Sequence, residues 1–327
     1  PELSGEEYAT TELVSERLFL AGMTPTPLSS GTGLLCDLDA GDLAGPRLAL
    51  RADLDALAMD DEKDVPYRSR VPGLSHACGH DVHTAVVLGT ALYFAHHRDE
   101  LAGPLRFVFQ PAEERVPGGA LDVLADGGLD GVAAVVGVHC DPKREVGQIA
   151  LRTGAITSAA DMATITLEGP GGHTARPEMT VDMVALAGRV IRELPERVAA
   201  AAGGPEQVRL VFGAVHGGDA ANVIPSHAML RASVRTPSVE VWERLPELVR
   251  LALDEVVAGS GAQVHLDYTH GVPPLVNDAG VIEIVRRAAE QVAGPDAVGE
   301  AVQSWGGDDF AWFARERPSG YIRLGVH

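Results

Sequence analysis

Apolar and polar positions follow two different rhythms along this chain, and the change between them divides it. In the first 150 residues the apolar positions gather into short unbroken runs over 47–53, 104–110 and 132–139. Runs of that length, bounded by turn residues and separated by helix-length segments, predict strands covered on both faces, as in a largely parallel α/β sheet. A first helix is expected after Ser4-Gly5-Glu6-Glu7, whose Ser-x-x-Glu spacing is that of a capping box, with Tyr8, Leu13, Leu18 and Leu20 as its apolar positions and Ala21-Gly22 as its end. Gly31-Thr32-Gly33 reads as a hairpin turn into Leu34-Leu35-Cys36 rather than a phosphate loop, because no Gly-Lys-Ser follows it. The stretch 85–92 is apolar nearly all round and predicts the opening of a buried helix.

From about residue 157 the rhythm becomes strict alternation. Strands are expected over 161–168, 207–212, 228–235 and 262–268, with amphipathic helices over about 181–200 and 239–257. That β-α-β-β-α-β order is the ferredoxin-like unit, its strands polar on one face. The expected organisation is therefore a discontinuous α/β domain, residues 1–156 and 269–327, interrupted by an inserted α+β domain, residues 157–268. A helix over 282–292, ended by Gly294, and a strand over 321–325 return the chain to the first sheet. The fold class is thus α/β, a mixed, largely parallel sheet with helices on both faces plus the ferredoxin-like insertion.

Composition narrows the functional classes. A formal net charge of −20 opposes a nucleic-acid or anionic-membrane surface, and no run of about 18 apolar residues marks a membrane span. Three scattered cysteines do not make a disulfide framework and favour a reducing, cytoplasmic compartment.

The chemistry concentrates at the ends of the apolar runs. The first ends in Asp53 and Asp55, the second in Gln110-Pro-Ala-Glu113-Glu114, the third in His139. Each has a plain reading: turn or N-cap carboxylates, a solvated charge pair, a satisfied buried histidine. Ligands nevertheless collect at the carboxyl ends of strands in open α/β sheets, so these residues are expected to share one rim. There they would meet Ser75-His76-Ala77-Cys78-Gly79-His80-Asp81-Val82-His83-Thr84, where Gly79 allows a sharp turn between a thiol and an imidazole, the donors that zinc-like ions prefer. No Gly-x-Gly-x-x-Gly follows the first strand, which leaves a nicotinamide dehydrogenase little support.

Arg51-Ala-Asp53-Leu-Asp55-Ala-Leu57, His76-Ala-Cys78-Gly-His80-Asp81, Phe109-Gln-Pro-Ala-Glu113-Glu114, Gly137-Val-His139, Gly171-Gly-His173-Thr-Ala-Arg-Pro177, Asn222-Val-Ile-Pro225 and Gly307-Asp-Asp-Phe310 resemble, in this order, the motifs of the metal-dependent N-acyl-amino-acid amidohydrolases. These form the aminoacylase, hippurate-hydrolase and auxin-conjugate-hydrolase branch of the aminoacylase/carboxypeptidase-type metallopeptidases. The resemblance covers nearly the whole chain, departing at Val82, where relatives carry glycine. It implies hydrolysis of N-acyl or N-aroyl amino acids; a dipeptidase, an N-acetyl-diaminopimelate deacetylase and an inactive metal-binding protein are the alternatives. It implies one or two divalent ions per subunit (zinc, manganese, cobalt or nickel) on Cys78, His80, Glu114 and His139, with a further histidine beyond the chain end. Glu113 would be the general base and Asp53 would orient a ligand from behind. His173 would stabilise the oxyanion with help from the Asn222 loop, and Arg235 would grip the substrate carboxylate unless it is a plain surface arginine. The resemblance makes residues 1–156 and 269–327 the metal-binding catalytic domain and residues 157–268 a lid and dimerisation domain, and it implies a homodimer through that insertion, or a higher assembly, with His173 delivered to the other subunit.

Overall fold

The computed structural model describes residues 1–39, 41 and 45–327. The chain divides into two compact units, one made of Pro1–Ile156, Leu275–Gln303 and Asp308–His327, the other of Thr157–Pro274 with Ser304–Gly307.

The first unit is built on an eight-stranded sheet. The apolar runs form its centre: Arg47–Asp53 lies between Leu105–Gln110 and Val132–Asp141, parallel to both, and Ser319–Gly325 lies parallel to Val132–Asp141 on the far side. Pro25–Pro27 and Leu34–Leu38 add an antiparallel hairpin at one edge, and the short strands Ile149–Leu151 and Val298–Glu300 complete the other. The sheet is therefore mixed and largely parallel. Register aligns the carboxyl ends, Asp53 opposite Gln110 and His139 opposite Arg323, so the polar terminations fall on one rim. Phe107, Phe109, Leu34 and Leu54 pack beneath one face and Phe310, Phe313, Val135 and Tyr321 beneath the other. Gly137 is required by this packing: a Cβ there would lie 2.8 Å from the Phe310 ring and 2.9 Å from that of Tyr321.

Two local expectations are corrected. Helix Tyr8–Leu20 begins where expected, but no capping box forms. Its free amides at Ala9 and Thr10 donate instead to the carboxylate of Glu2 at 2.9 and 2.8 Å, which leaves Ser4 and Glu7 to bond elsewhere. Helix His80–His96 is not buried all round. It packs on the sheet along the stripe His80, His83, Val87 and Ala91, and its other face leaves Val86 and Tyr93 exposed, since only one side meets the strands.

The second unit is a four-stranded antiparallel sheet in the order Arg209–His216, His227–Arg235, Ala160–Glu168, Gln263–Val272, with helices Met183–Ala201 and Val239–Val257. This is the ferredoxin-like arrangement that the alternation predicts, and burial alternates along Ala160–Glu168 accordingly. A small two-stranded ladder, Gly172–His173 with Val223–Ile224, stands apart from the main sheet. No helix among the described residues is long and apolar enough to cross a membrane.

Candidate metal centre

The rim of the first unit gathers Cys78, His80, Glu113, Glu114 and His139, and hydrogen bonding decides what each can do. Gly79, with φ of +90°, caps the helix that starts at His80 and turns the chain so that Cys78 and His80 face the strand ends. A Cβ at Gly79 would sit 2.8 Å from the sulfur of Cys140, so the turn is crowded as well as left-handed.

The Nδ1 of His80 lies 2.9 Å from the Asp55 carbonyl oxygen and 3.2 Å from Asp55 Oδ1, two acceptors, so Nδ1 carries the proton. In the neutral ring its Nε2 is then a lone pair, and it is buried without a hydrogen-bond partner. Around it stand three carboxylates: Asp53 Oδ2 at 3.7 Å, Glu113 Oε2 at 3.8 Å and Glu114 Oε1 at 4.0 Å. His139 is arranged alike, its Nδ1 donating to the Cys140 carbonyl at 2.7 Å while Nε2 faces the Cys78 sulfur at 3.4 Å. Two imidazole lone pairs, a thiol and carboxylates thus converge, each imidazole fixed by a backbone carbonyl from behind. The ligand atoms of Cys78, His80 and Glu114 lie within 4.8 Å of one another. A buried lone pair ringed by carboxylates, with no donor of its own, fits a divalent cation.

His83 is different although it is equally buried. Its Nε2 accepts from the Cys140 amide at 2.9 Å, and its Nδ1 donates to Asp53 Oδ1 at 2.6 Å. Both nitrogens are used, so His83 braces the strand end beside His139 and offers no lone pair to an ion. Asp53 spends its other oxygen on Arg51, at 2.5 Å. The residue that reaches the Nδ1 of His80 is Asp55, two positions further on.

Charge at the rim is unbalanced. Arg51, fully buried, pairs with Asp53 and with Asp309 at 2.7 Å and also bonds Gln110 at 2.8 Å. Tyr321 donates its hydroxyl to Asp308. Burial, then Asp308, Asp309 and Asp53, push the Glu113 carboxyl well above its ordinary range, and burial raises Glu114 too. Burial likewise drives His139 down to about 4. For His80 burial opposes protonation, yet Asp53, Asp55, Cys78 and Glu113 together push its pKa strongly up, so the carboxylates draw positive charge to Nε2, as a proton on the ring or, in its place, as a divalent cation on the lone pair. One buried guanidinium does not satisfy so many carboxylates, and a bound cation would lower the proton affinity of Glu113, Glu114 and His80.

In the second unit, His173 and Asn222 are brought to the same small ladder. Thr174 N donates to the Asn222 carbonyl at 3.2 Å, and His173 is exposed. The Ala175 amide donates to His173 Nδ1 at 3.0 Å, which leaves the proton on Nε2 as an outward donor. Arg235 lies away from that ladder at the end of its strand, bonded to Ser233 Oγ at 3.2 Å and to the Trp305 carbonyl at 2.9 Å. Reading along the sequence did not assign Asp55, His83, Arg51 or Asp309 a task. Asp53-x-Asp55 and Asp308-Asp309 stand in quoted motifs, but their partners are up to 258 positions away.

The model of peptidase family M20/M25/M40 matches residues 49–327. A protein of Rhodococcus jostii named putative glutamate–cysteine ligase 2-3 is 42% identical over 326 residues, covering all of this chain, and the chain spans 41% of that protein's length. The N-acetyl-L-cysteine deacetylase of Bacillus subtilis is 35% identical over 326 residues, covering 100% of this chain and 77% of its own. Among solved structures, a dinuclear metal-binding peptidase of the M20 family from Bacillus subtilis superposes with a TM-score of 0.87 at 33% identity, over 100% of this chain and 85% of that one.

Asp53→Ala would leave the buried Arg51 short of a partner and His83 without its acceptor. It is expected to lower the unfolding free energy by about 3–5 kcal/mol, read from the urea midpoint. An unchanged midpoint would mean that Asp309 and Gln110 suffice for Arg51.

Proposed function

Because the chain belongs to peptidase family M20/M25/M40, metallo-hydrolases acting on amide bonds, we propose that it hydrolyses N-acyl or N-aroyl amino acids to a carboxylic acid and a free amino acid. The observation that carries this reading is the partnerless, buried Nε2 of His80 beside Glu113, because a purely structural ion site has no use for a carboxylate held next to the ligands.

Cys78, His80, Glu114 and His139 would hold one or two divalent ions, zinc, manganese, cobalt or nickel. When bound, such an ion polarises the scissile carbonyl and makes a nearby water more acidic. Glu113 takes the proton of the attacking water and passes it to the leaving amine nitrogen. Its environment fits that cycle, since burial and neighbouring carboxylates raise its affinity for a proton. Asp53 fixes His83 and Arg51 behind the ligands. A cleft of about 560 Å³ opens beside Cys78 and His139, with Tyr67, Val82 and Pro142 among its walls, which gives an acyl group room.

His173 would stabilise the developing oxyanion through its Nε2–H, held by the ladder that also carries Asn222. Arg235 would bind the substrate's free carboxylate. Dimerisation through the second unit is supported by its terminal strand Arg209–His216, where Val211 and Val215 are exposed. The cytoplasm is the proposed compartment, on the cysteine count. N-Acetylcysteine, N-acetyl- and N-benzoylglycine, a dipeptide and N-acetyl-diaminopimelate together separate this reading from a dipeptidase or a diaminopimelate deacetylase.

Glu113→Gln is expected to lower kcat by about 10²–10⁴-fold while metal content stays near wild type. Loss of metal in that variant would make Glu113 a ligand instead. For His173, Glu113→Ala and His173→Ala homodimers are each expected to be inactive, and mixed dimers of the two to regain activity, since one site in each hybrid then holds both residues. Failure of rescue after verified subunit exchange would place His173 in its own chain's reaction or outside it.

A further inference from the structure

Glu7 heads helix Tyr8–Leu20, is wholly buried, and does not cap that helix. Its Oε1 accepts two amides, from Gly5 at 2.8 Å and, across 105 positions, from Ala112 at 2.8 Å. Ala112 is the one non-glycine residue with positive φ among the described residues, at +54°, and it immediately precedes Glu113. A Cβ makes that conformation unfavourable, so something must hold it. Its carbonyl accepts from Gly119 at 3.0 Å, and its amide has Glu7.

On the other side of Glu113, the Glu114 amide donates to Asp55 Oδ2 at 2.9 Å, an oxygen that also accepts from Ser4 at 2.7 Å. The Ser4-Gly-Glu-Glu7 turn thus reaches the amides of both residues that flank Glu113, Ala112 directly through Glu7 and Glu114 indirectly through Ser4 and Asp55. Two carboxylates receive the two amides, and the side chain between them projects toward the lone pair of His80.

We propose that Glu7 is a positioning residue for the proposed base: its carboxylate oxygen selects the left-handed conformation of Ala112 and so sets the direction in which Glu113 points. The inference rests on the assignment of Glu113 as base. What matters is an acceptor oxygen at the right reach, not the charge. Glutamine keeps the reach and drops the charge; aspartate keeps the charge and withdraws the oxygen by one methylene.

The test compares purified, metal-loaded variants by kcat, KM, metal content and melting midpoint. Glu7→Gln is expected to retain kcat within about threefold, whereas Glu7→Asp loses about ten- to a hundredfold in kcat with KM held within about twofold and metal content unchanged. Adding Ala112→Gly to Glu7→Asp should recover part of the loss, because glycine adopts positive φ without help. Wild-type kcat in Glu7→Asp overturns the proposal, as does a folded Glu7→Gln as slow as Glu7→Asp. If Glu7→Asp does not fold, Glu7→Gln decides alone: a tenfold or greater loss of kcat in that folded variant overturns the proposal, and retention upholds it. Failure of the base assignment shows separately, as turnover retained by Glu113→Gln.

Discussion

A buried imidazole nitrogen left without a partner is the feature from which the chemistry of this chain follows. Asp55 claims the Nδ1 of His80 with its carbonyl and its carboxylate, which commits a proton to that side and leaves Nε2 a bare lone pair in the neutral ring. A buried acceptor in that state costs free energy unless something binds it. Three carboxylates approach to within 4.0 Å and none can donate when ionised. A cation resolves the conflict, and the thiol of Cys78 and the lone pair of His139 stand where they can share it.

The same lack of positive charge organises the layer beneath. Arg51 is the buried cation that Asp53, Asp308 and Asp309 surround, and it holds Asp53 well below the ordinary carboxylate range against the opposing effect of burial. It does not offset the rest: Asp309, although paired with Arg51, is pushed up to about 7 by burial and Asp308, and Glu113 is raised well above its ordinary range. Arg51 thus secures Asp53, while the rest of the cluster and the rim above are left with excess negative charge. A carboxylate with heightened proton affinity next to a cation site is an arrangement suited to moving a proton to a leaving amine.

Much of this was legible from the residues in order. Continuous apolar runs of strand length carry the parallel sheet, alternating ones carry the antiparallel unit, and the polar residues that end the runs at Asp53, Glu113 and His139 do meet on one rim, because parallel strands put all their carboxyl ends on the same side. What sequence periodicity does not carry is who bonds whom. The choice of Asp55 rather than Asp53 as partner of His80, the double engagement of His83, and the pairing of Arg51 with Asp309 depend on contacts between distant segments. Ser4 and Glu7 show the limit well: a local capping spacing competes with tertiary acceptors and donors, and here the tertiary partners, Asp55 and Ala112, win.

Cobalt(II) titration of metal-stripped protein tests the central claim most directly, because thiolate-to-cobalt absorption reports Cys78 at the ion while release of amino acid from an N-acyl substrate reports the reaction in the same cuvette. Both signals are expected to rise together and to level off at the same ratio of cobalt to chain, with the absorption absent in Cys78→Ser. Full hydrolysis in the stripped protein with chelator present, before any cobalt is added, would contradict it.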